Sequence, residues 1–174
     1  MSDPRLPVLD HAVQQTNAWL KKLMADHHFH DRHQAYSALR AVLHALRDRM
    51  TAEQAVHFGA QLPTIIRGIY YEGWHIGEGP SGERQIDDFA QVIAKDLPPQ
   101  FPRDAVGTAK AVFDLLWQEI DPGATAKVID SLPVPLRALW PDVSATSAST
   151  TISCAMSVIR CNRADRRFSS FCAR

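Results

Sequence analysis

The chain has 174 residues, 45% of them hydrophobic and 22% charged, and its formal net charge at pH 7 is zero. This length and apolar content suit one globular domain with its own core. The charge is uneven, because residues 1–140 hold 14 Lys and Arg against 17 Asp and Glu, whereas residues 141–174 hold 5 against 2. A mildly acidic folded part lacks the clustered cations that duplex DNA binding requires, so we expect it to bind no nucleic acid.

The sequence also argues against secretion and membrane insertion. The first ten residues, MSDPRLPVLD, hold no apolar segment typical of a signal peptide. No apolar run approaches the roughly 18–20 residues that span a bilayer. We therefore expect a cytoplasmic protein without a membrane partner.

The first part of the chain shows the periodicity of four amphipathic helices. Within residues 35–50 the apolar positions recur every three or four residues, which is one face of an α-helix. Thr51 is a good N-cap for the helix that follows it. The predicted helices are about 9–26, 32–50, 52–61 and 63–72.

Between the first two predicted helices lies the segment HHFHDRH, residues 27–33. Imidazoles this close together can bind Zn²⁺, Ni²⁺ or Cu²⁺, so one interpretation is a metal site. The other interpretation is a solvated turn, in which Asp31 is the N-cap of the second helix. We predict no cofactor and keep a divalent metal as the alternative, with the candidate ligands His27, His28, His30 and His33.

Residues 73–83, GWHIGEGPSGE, hold four Gly and one Pro and predict a flexible linker. They do not resemble a phosphate-binding loop, because the GxxxxGK pattern is absent. A second set of helices is predicted after the linker, at about 84–96, 103–120, 122–131 and 133–140.

The two sets of helices coincide without a gap when Thr51 is aligned with Asp121, another good N-cap. In this alignment residues 41–70 meet residues 111–140, and Tyr70 meets Trp140. Only six of these thirty positions are identical, yet nearly every apolar position stays apolar. The sequence therefore predicts an all-α fold, a single helical bundle of two tandem four-helix repeats. Repeat one is about residues 9–74 and repeat two about residues 84–141, within one domain of residues 1–141.

Residues 142–174 have no counterpart in the repeat. They lack a helical period, and their final part, CNRADRRFSSFCAR, is basic. The three cysteines, Cys154, Cys161 and Cys172, all lie here at spacings that match no zinc or redox motif, which indicates free thiols. We predict a mostly disordered tail, with a weakly amphipathic or nucleic-acid-attracting tail as the alternative. An isolated extension and a reading-frame change would both explain it.

Two stretches of the sequence are AYSALRAVLHALRDRMTAEQAVHFGAQLPTIIRGIYYEGW, residues 35–74, and DDFAQVIAKDLP, residues 87–98. Both resemble a bacterial family known as domain of unknown function 2267. The resemblance extends from about residue 10 to residue 141. It implies an all-helical fold, and it supplies no activity, cofactor or catalytic residue.

Residues that recur in both copies are expected to be structural. Pro63 and Arg67 recur as Pro133 and Arg137. We expect each guanidinium to cap or pair with carbonyls or carboxylates at the junction between the copies, while its aliphatic stem lies along apolar neighbours.

Residues that break the symmetry are the candidate binding site. Exposed Tyr and Trp side chains are favoured anchors for protein partners. Such residues cluster just before and within the linker, where the candidates are Tyr70, Tyr71, Glu72, Trp74 and His75. Tyr70 also fits a scaffold role, because its counterpart is a large apolar residue.

The sequence gives little support for catalysis. The serines of the folded part lie in no GxSxG context, and no two carboxylates are paired for acid–base work. His44 and His57 lie off the apolar stripe and are predicted at the surface. We predict a non-enzymatic helical interaction module that binds a protein partner or a second copy of itself. The alternative is a small-ligand or metal-binding protein that uses the turn at residues 27–33 or a cavity between the repeats.

Overall fold

The computed structural model describes residues 6–27, 29–76 and 80–141, and these residues form eight α-helices and no strand. The predicted all-α class is confirmed. The predicted tail, residues 142–174, lies outside the described residues. The helices are α1 (Pro7–His27), α2 (Arg32–Arg49), α3 (Ala52–Gly59), α4 (Thr64–Tyr71), α5 (Ile86–Asp96), α6 (Ala105–Glu119), α7 (Pro122–Ser131) and α8 (Val134–Arg137).

Four of these helices begin at a side-chain N-cap. Asp31, Asp104 and Asp121 each accept a hydrogen bond from a backbone N–H in the first turn of α2, α6 and α7. At the start of α3 the Thr51 hydroxyl accepts from the Gln54 backbone N–H, and the Gln54 side chain accepts from the Thr51 backbone N–H, which completes a capping box. Each cap contributes about 0.5–2 kcal/mol to helix stability, so these sequence signals set where the helices start.

The core is built around α2 and α6. Helix α2 packs against α1, α4, α5 and α6, and α6 packs against α1, α2, α5 and α7. Because α2 is covered on several sides, its burial extends beyond one stripe to nearly every residue from Ala41 to Arg47. The prediction that His44 lies at the surface is therefore wrong, since its side chain is on a face of α2 that α4 and α5 cover.

The last described helix, α8, is shorter than the periodicity predicted. Helix α8 covers one turn, and the chain continues in hydrogen bonds from residue i to residue i+3, as in the bond from the Trp140 N–H to the Arg137 carbonyl. Leu136, Leu139 and Trp140 are nevertheless buried. Trp140 stacks on Phe113 of α6 with ring centroids 4.4 Å apart. The apolar pattern thus marks burial correctly where it overestimates helix length.

Candidate binding site

The C-terminal end of α4 is held by two buried side chains of α2. His44 Nε2 lies 2.7 Å from the Ile69 carbonyl oxygen. Arg47 Nη1 donates to the Tyr70 carbonyl at 2.7 Å and to the Glu72 carbonyl at 2.9 Å. His44 is 6% exposed and Arg47 is 4% exposed. The last carbonyls of a helix lack partners within the helix and carry partial negative charge, so these donors fix the end of α4 against α2.

A third residue of the same face of α2 extends this contact to the surface. Arg40 Nε donates to Glu72 Oε2 at 2.8 Å. The hydrogen bond from Arg40 lowers the pKa of the Glu72 carboxyl, and the bond to Glu72 raises the pKa of Arg40. Arg40, His44 and Arg47 are spaced four and three residues apart, which places them on one face of the helix.

His44 is held in its neutral form by its surroundings. Burial lowers its pKa first of all, and the positive charges of Arg47 and Arg40 lower it further, whereas the Ile69 hydrogen bond and Asp96 raise it. Its Nδ1 atom is 3.9 Å from Asp96 Oδ2. Since Nε2 faces a carbonyl oxygen, the neutral ring carries its proton on Nε2.

A cavity of about 250 Å³ lies beside this contact, where the chain leaves α4. Gly73 starts the exit with a φ of +65°, a left-handed conformation that glycine adopts readily. We call this space the α2–α4 cavity, and its lining residues are Arg47, Asp48, Met50, Ala52, Gly73, Trp74, His75, Ile76 and Ser81.

One side of the cavity continues into a series of packed aromatic rings. Tyr71 contacts Tyr70 with ring centroids 4.9 Å apart and stacks on Trp74 at 5.5 Å. Gly59 leaves room for Tyr71, because a Cβ atom built there would lie 2.6 Å from Tyr71 Cζ. Ile76, at 67% exposure, adds an aliphatic side chain at the cavity wall. We call Tyr71, Trp74 and Ile76 the Trp74 face.

The opposite part of the cavity is fixed by the later part of the linker. The Ser81 N–H donates to the Asp48 carbonyl at 2.7 Å, and Arg49 Nη1 donates to the Ser81 carbonyl at 2.6 Å. Residues 77–79 of the predicted linker lie outside the described residues. At Ser81 the chain is therefore tied to the end of α2.

A second cavity, of about 300 Å³, lies at the connection between α3 and α4. Its charged side chains take part in structural contacts, since Glu119 pairs with Lys22 at 2.7 Å and Arg67 donates to two backbone carbonyls. We assign no ligand to it. Its lining residues are Gln15, Trp19, Ala60, Gln61, Leu62, Pro63, Thr64, Arg67 and Glu119.

Comparison with known proteins identifies a family but no activity. The family described as "Uncharacterized conserved protein (DUF2267)" matches residues 16–139. The chain belongs to this family. The DUF2267 match includes the whole α2–α4 cavity, and no curated protein matches the chain. Within the described residues, no helix is both long enough and apolar enough to cross a bilayer.

The five predicted binding residues separate into three groups in this DUF2267 protein. Trp74 and His75 line the α2–α4 cavity, and Tyr71 packs against Trp74. Glu72 contributes its carbonyl to Arg47 and turns its carboxylate toward Arg40. Tyr70 is fully buried, and its hydroxyl donates to the Ala55 carbonyl at 3.1 Å. Burial also raises the pKa of Tyr70 far above its ordinary value.

The residues predicted to be structural lie just before or within the short helices α4 and α8. Pro63 and Pro133 are the residues immediately before α4 and α8. Arg67 Nη2 donates to the carbonyls of Ala60 at 2.9 Å and Leu62 at 3.0 Å. Arg137 donates from Nη2 to the Asp130 carbonyl at 2.7 Å and from Nε to the Leu132 carbonyl at 2.8 Å. Each arginine thus binds carbonyls at the C-terminal end of the preceding helix.

The candidate metal ligands are separated by their structural contacts. His27 Nε2 is 3.2 Å from Asp114 Oδ2, whereas His30 and His33 are exposed. Phe29 between them is buried, and the Arg103 guanidinium lies 5.1 Å from its ring centroid. Among the described residues, no three His, Cys, Asp or Glu side chains come together as a metal site. His28 lies outside that range, so the metal site stays a prediction.

The sequence reasoning missed Arg47, Met50 and Ile76 as parts of the cavity. They meet there because residues 47–52 and residues 73–76 come together only in the folded chain. One signal was available, since Arg47 continues the polar row of Arg40 and His44 along α2. A polar row on a helix that is otherwise apolar predicts buried partners for those side chains.

Proposed function

We propose that this protein is a helical binding module for a partner protein. The partner docks on the Trp74 face and inserts an apolar side chain into the α2–α4 cavity. The observation that carries this proposal is the position of half-buried Trp74 and exposed Ile76 at a cavity whose lining also includes Met50 and Ala52. Aromatic anchors around a pocket are typical of the centre of protein interfaces.

Hydrogen bonds that hold the backbone near the Trp74 face favour a role of this face in binding. Arg47 and His44 hold the backbone of residues 69–72, and Ser81 is tied to α2. The backbone that carries Tyr71 is therefore already fixed, and the Trp74 N–H donates to the Tyr71 carbonyl at 3.2 Å. A fixed binding surface loses little conformational entropy on association, which improves affinity.

The size of the cavity favours a single inserted side chain over a free small ligand. Its volume of about 250 Å³ is below the roughly 300–1,000 Å³ typical of pockets that enclose drug-sized molecules. The polar side chains that line it are Arg47, Asp48, His75 and Ser81, and Arg47 and Asp48 are bonded to each other. No hydrogen bond between Ser81 and His75 is present in the described structure, so a serine nucleophile gains no support.

We also infer that the helices form two tandem four-helix repeats. The arginine contacts support this, because the carbonyls that Arg67 binds, at positions 60 and 62, align in the repeat with those that Arg137 binds, at positions 130 and 132. Under this proposal the residues that recur in both repeats hold the fold. Trp74 does not recur, because its counterpart at position 144 is a serine, so it is assigned to binding. Superposition of residues 32–71 on residues 102–141 in an experimental structure tests the duplication.

Quantitative affinity capture from cells that naturally produce the protein tests the binding function. We expect the wild-type chain to retain at least one protein that Trp74→Ala loses. Val134→Ser is the matched control, since Val134 is 75% exposed and does not line the cavity. It should retain the same protein. If all three chains captured the same proteins, the proposal would be contradicted. If light scattering instead showed a concentration-dependent mass that Trp74→Ala abolishes, the partner would be a second copy of this chain.

A further inference from the structure

The α2–α4 cavity contains a buried cation whose hydrogen-bonding capacity is only partly used. A guanidinium has five N–H donors on three nitrogens. Arg47 Nε donates to Asp48 Oδ1 at 2.7 Å, and Nη1 donates to the Tyr70 and Glu72 carbonyls. Nη2 makes no hydrogen bond with any described residue. Arg47 is 4% exposed and lines the cavity, so an acceptor that enters the cavity can form a hydrogen bond with this nitrogen.

The charge around Arg47 limits the kind of acceptor that suits the cavity. Asp48 is the carboxylate among the lining residues, and it already offsets the Arg47 charge on the Nε side. A group with two negative charges, such as a phosphate, would be repelled by Asp48 without a second cation among the lining residues to balance it. A single carboxylate carries one negative charge and forms a charge-assisted hydrogen bond with an N–H of Nη2.

The apolar part of the cavity adds a second requirement. Met50, Ala52 and Trp74 lie around the same space as Arg47, so a bare anion would leave apolar walls uncovered. An apolar side chain next to a carboxylate satisfies both parts at once. In a polypeptide this combination is an apolar residue beside Asp or Glu, or an apolar residue at a C-terminus.

We propose that the α2–α4 cavity binds a carboxylate-bearing apolar segment of the partner, with the carboxylate on Arg47 Nη2 and the side chain against Trp74. This inference rests on the proposed function, because it specifies the chemistry of the partner that docks on the Trp74 face. Removing Asp48 as a competing carboxylate should strengthen the site.

Titration of the full chain with N-acetyl-leucine, followed by the NMR shift of the Trp74 indole N–H, tests the proposal. N-acetyl-leucinamide has the same side chain without the charge and should bind about tenfold more weakly. Asp48→Asn, whose side chain is 43% exposed, should bind N-acetyl-leucine about three- to tenfold more tightly than the wild type. A gain in affinity cannot result from unfolding, so the result for Asp48→Asn cannot be imitated by a variant that fails to fold.

Each outcome separates this inference from the proposed function. Equal binding of the acid and the amide would overturn the carboxylate while the docking face stands. If neither probe shifts the Trp74 signal up to its solubility limit, the inference is overturned. The docking face is then still tested separately, by whether the wild-type chain captures a partner that Trp74→Ala loses. Weaker binding of N-acetyl-leucine to Asp48→Asn would contradict the assigned position of the carboxylate.

Discussion

Replacing Gly59 by Ala should destabilise the protein by displacing Tyr71, although Gly59 lines neither of the two cavities described above. A Cβ atom at residue 59 would lie 2.6 Å from Tyr71 Cζ and 3.0 Å from Cε2, far inside normal contact distance. The Tyr71 ring is rigid and is packed between Tyr70 and Trp74, so it must rotate away as a unit. Its displacement also disrupts the hydroxyl contact with the Ala55 carbonyl, 3.4 Å in length.

The magnitude follows from the packing that is lost. Forcing extra volume into a packed site costs about 1–3 kcal/mol, and the aromatic contacts of Tyr71 account for about 0.5–1.5 kcal/mol of it. Gly68→Ala is the matched control, because nothing lies within 4 Å of a Cβ built there and Gly68 is inside α4. That substitution should stabilise the protein by about 0.5–1 kcal/mol, since glycine weakens a helix interior.

Thermal unfolding followed by circular dichroism measures the difference. A change of 1 kcal/mol shifts the Tm by about 2–4 °C for a chain of this size, so Gly59→Ala should melt at least about 3 °C below Gly68→Ala. Equal melting temperatures for the two variants would refute the packing of Tyr71 over Gly59. They would also remove the reason to place Trp74 against Tyr71 at the cavity.

Two further predictions concern the contacts that hold helix ends. The pKa of His44 is lowered in the folded state, so below the ordinary histidine pKa of about 6.5 the unfolded chain binds more protons than the folded chain. The free energy of unfolding therefore falls as the pH decreases from about 6.5 toward the lowered pKa, by at most about 1.4 kcal/mol per pH unit. His44→Gln should flatten this part of the profile of unfolding free energy against pH. The control is His57→Gln, whose side chain is 81% exposed in the wild type and which should leave the profile unchanged. A profile that His44→Gln does not alter would contradict the role of burial. Arg67→Met and Arg137→Met should each lower the free energy of unfolding in urea by about 1 kcal/mol, because each removes two hydrogen bonds to carbonyls at a helix end. A loss from only one of the two would count against an equivalent role.

The helices were predictable because burial and local capping act in the same direction. Seven of the eight predicted helices agree with the structure to within two residues at each end, and N-caps such as Thr51 and Asp121 mark their starts. The eighth, α8, ends early because its chain tightens into i to i+3 hydrogen bonds after Pro135. Periodicity records which side chains are buried, and a tight turn can bury them as well as a helix.

The environment of α2 was not predictable from its own sequence. His44 lies off the apolar stripe, and periodicity places such a residue at the surface of a helix that has one covered face. Helix α2 is covered by four other helices, and this arrangement depends on tertiary packing. The polar face of α2 is buried because the C-terminal carbonyls of α4 satisfy His44 and Arg47.

The candidate site was predictable only in part for the same reason. Trp74 and His75 stood out because their counterparts in the repeat alignment, at positions 144 and 145, are a serine and an alanine. Arg47 and Ser81 reach the same cavity from distant parts of the sequence, and no local pattern connects them. Sequence reasoning placed the candidate binding residues next to the linker and missed the part of the cavity lining that α2 provides.

Site-specific photocrosslinking in cells that naturally produce the protein tests the binding function most directly. A photoreactive residue at position 76, at the wall of the α2–α4 cavity, should form one discrete adduct with a partner protein. The same residue at position 134 is equally open to solvent and should form none above background, because Val134 is not part of the Trp74 face. Equal adducts at both positions, or none at position 76, would contradict the assignment of this face to a protein partner.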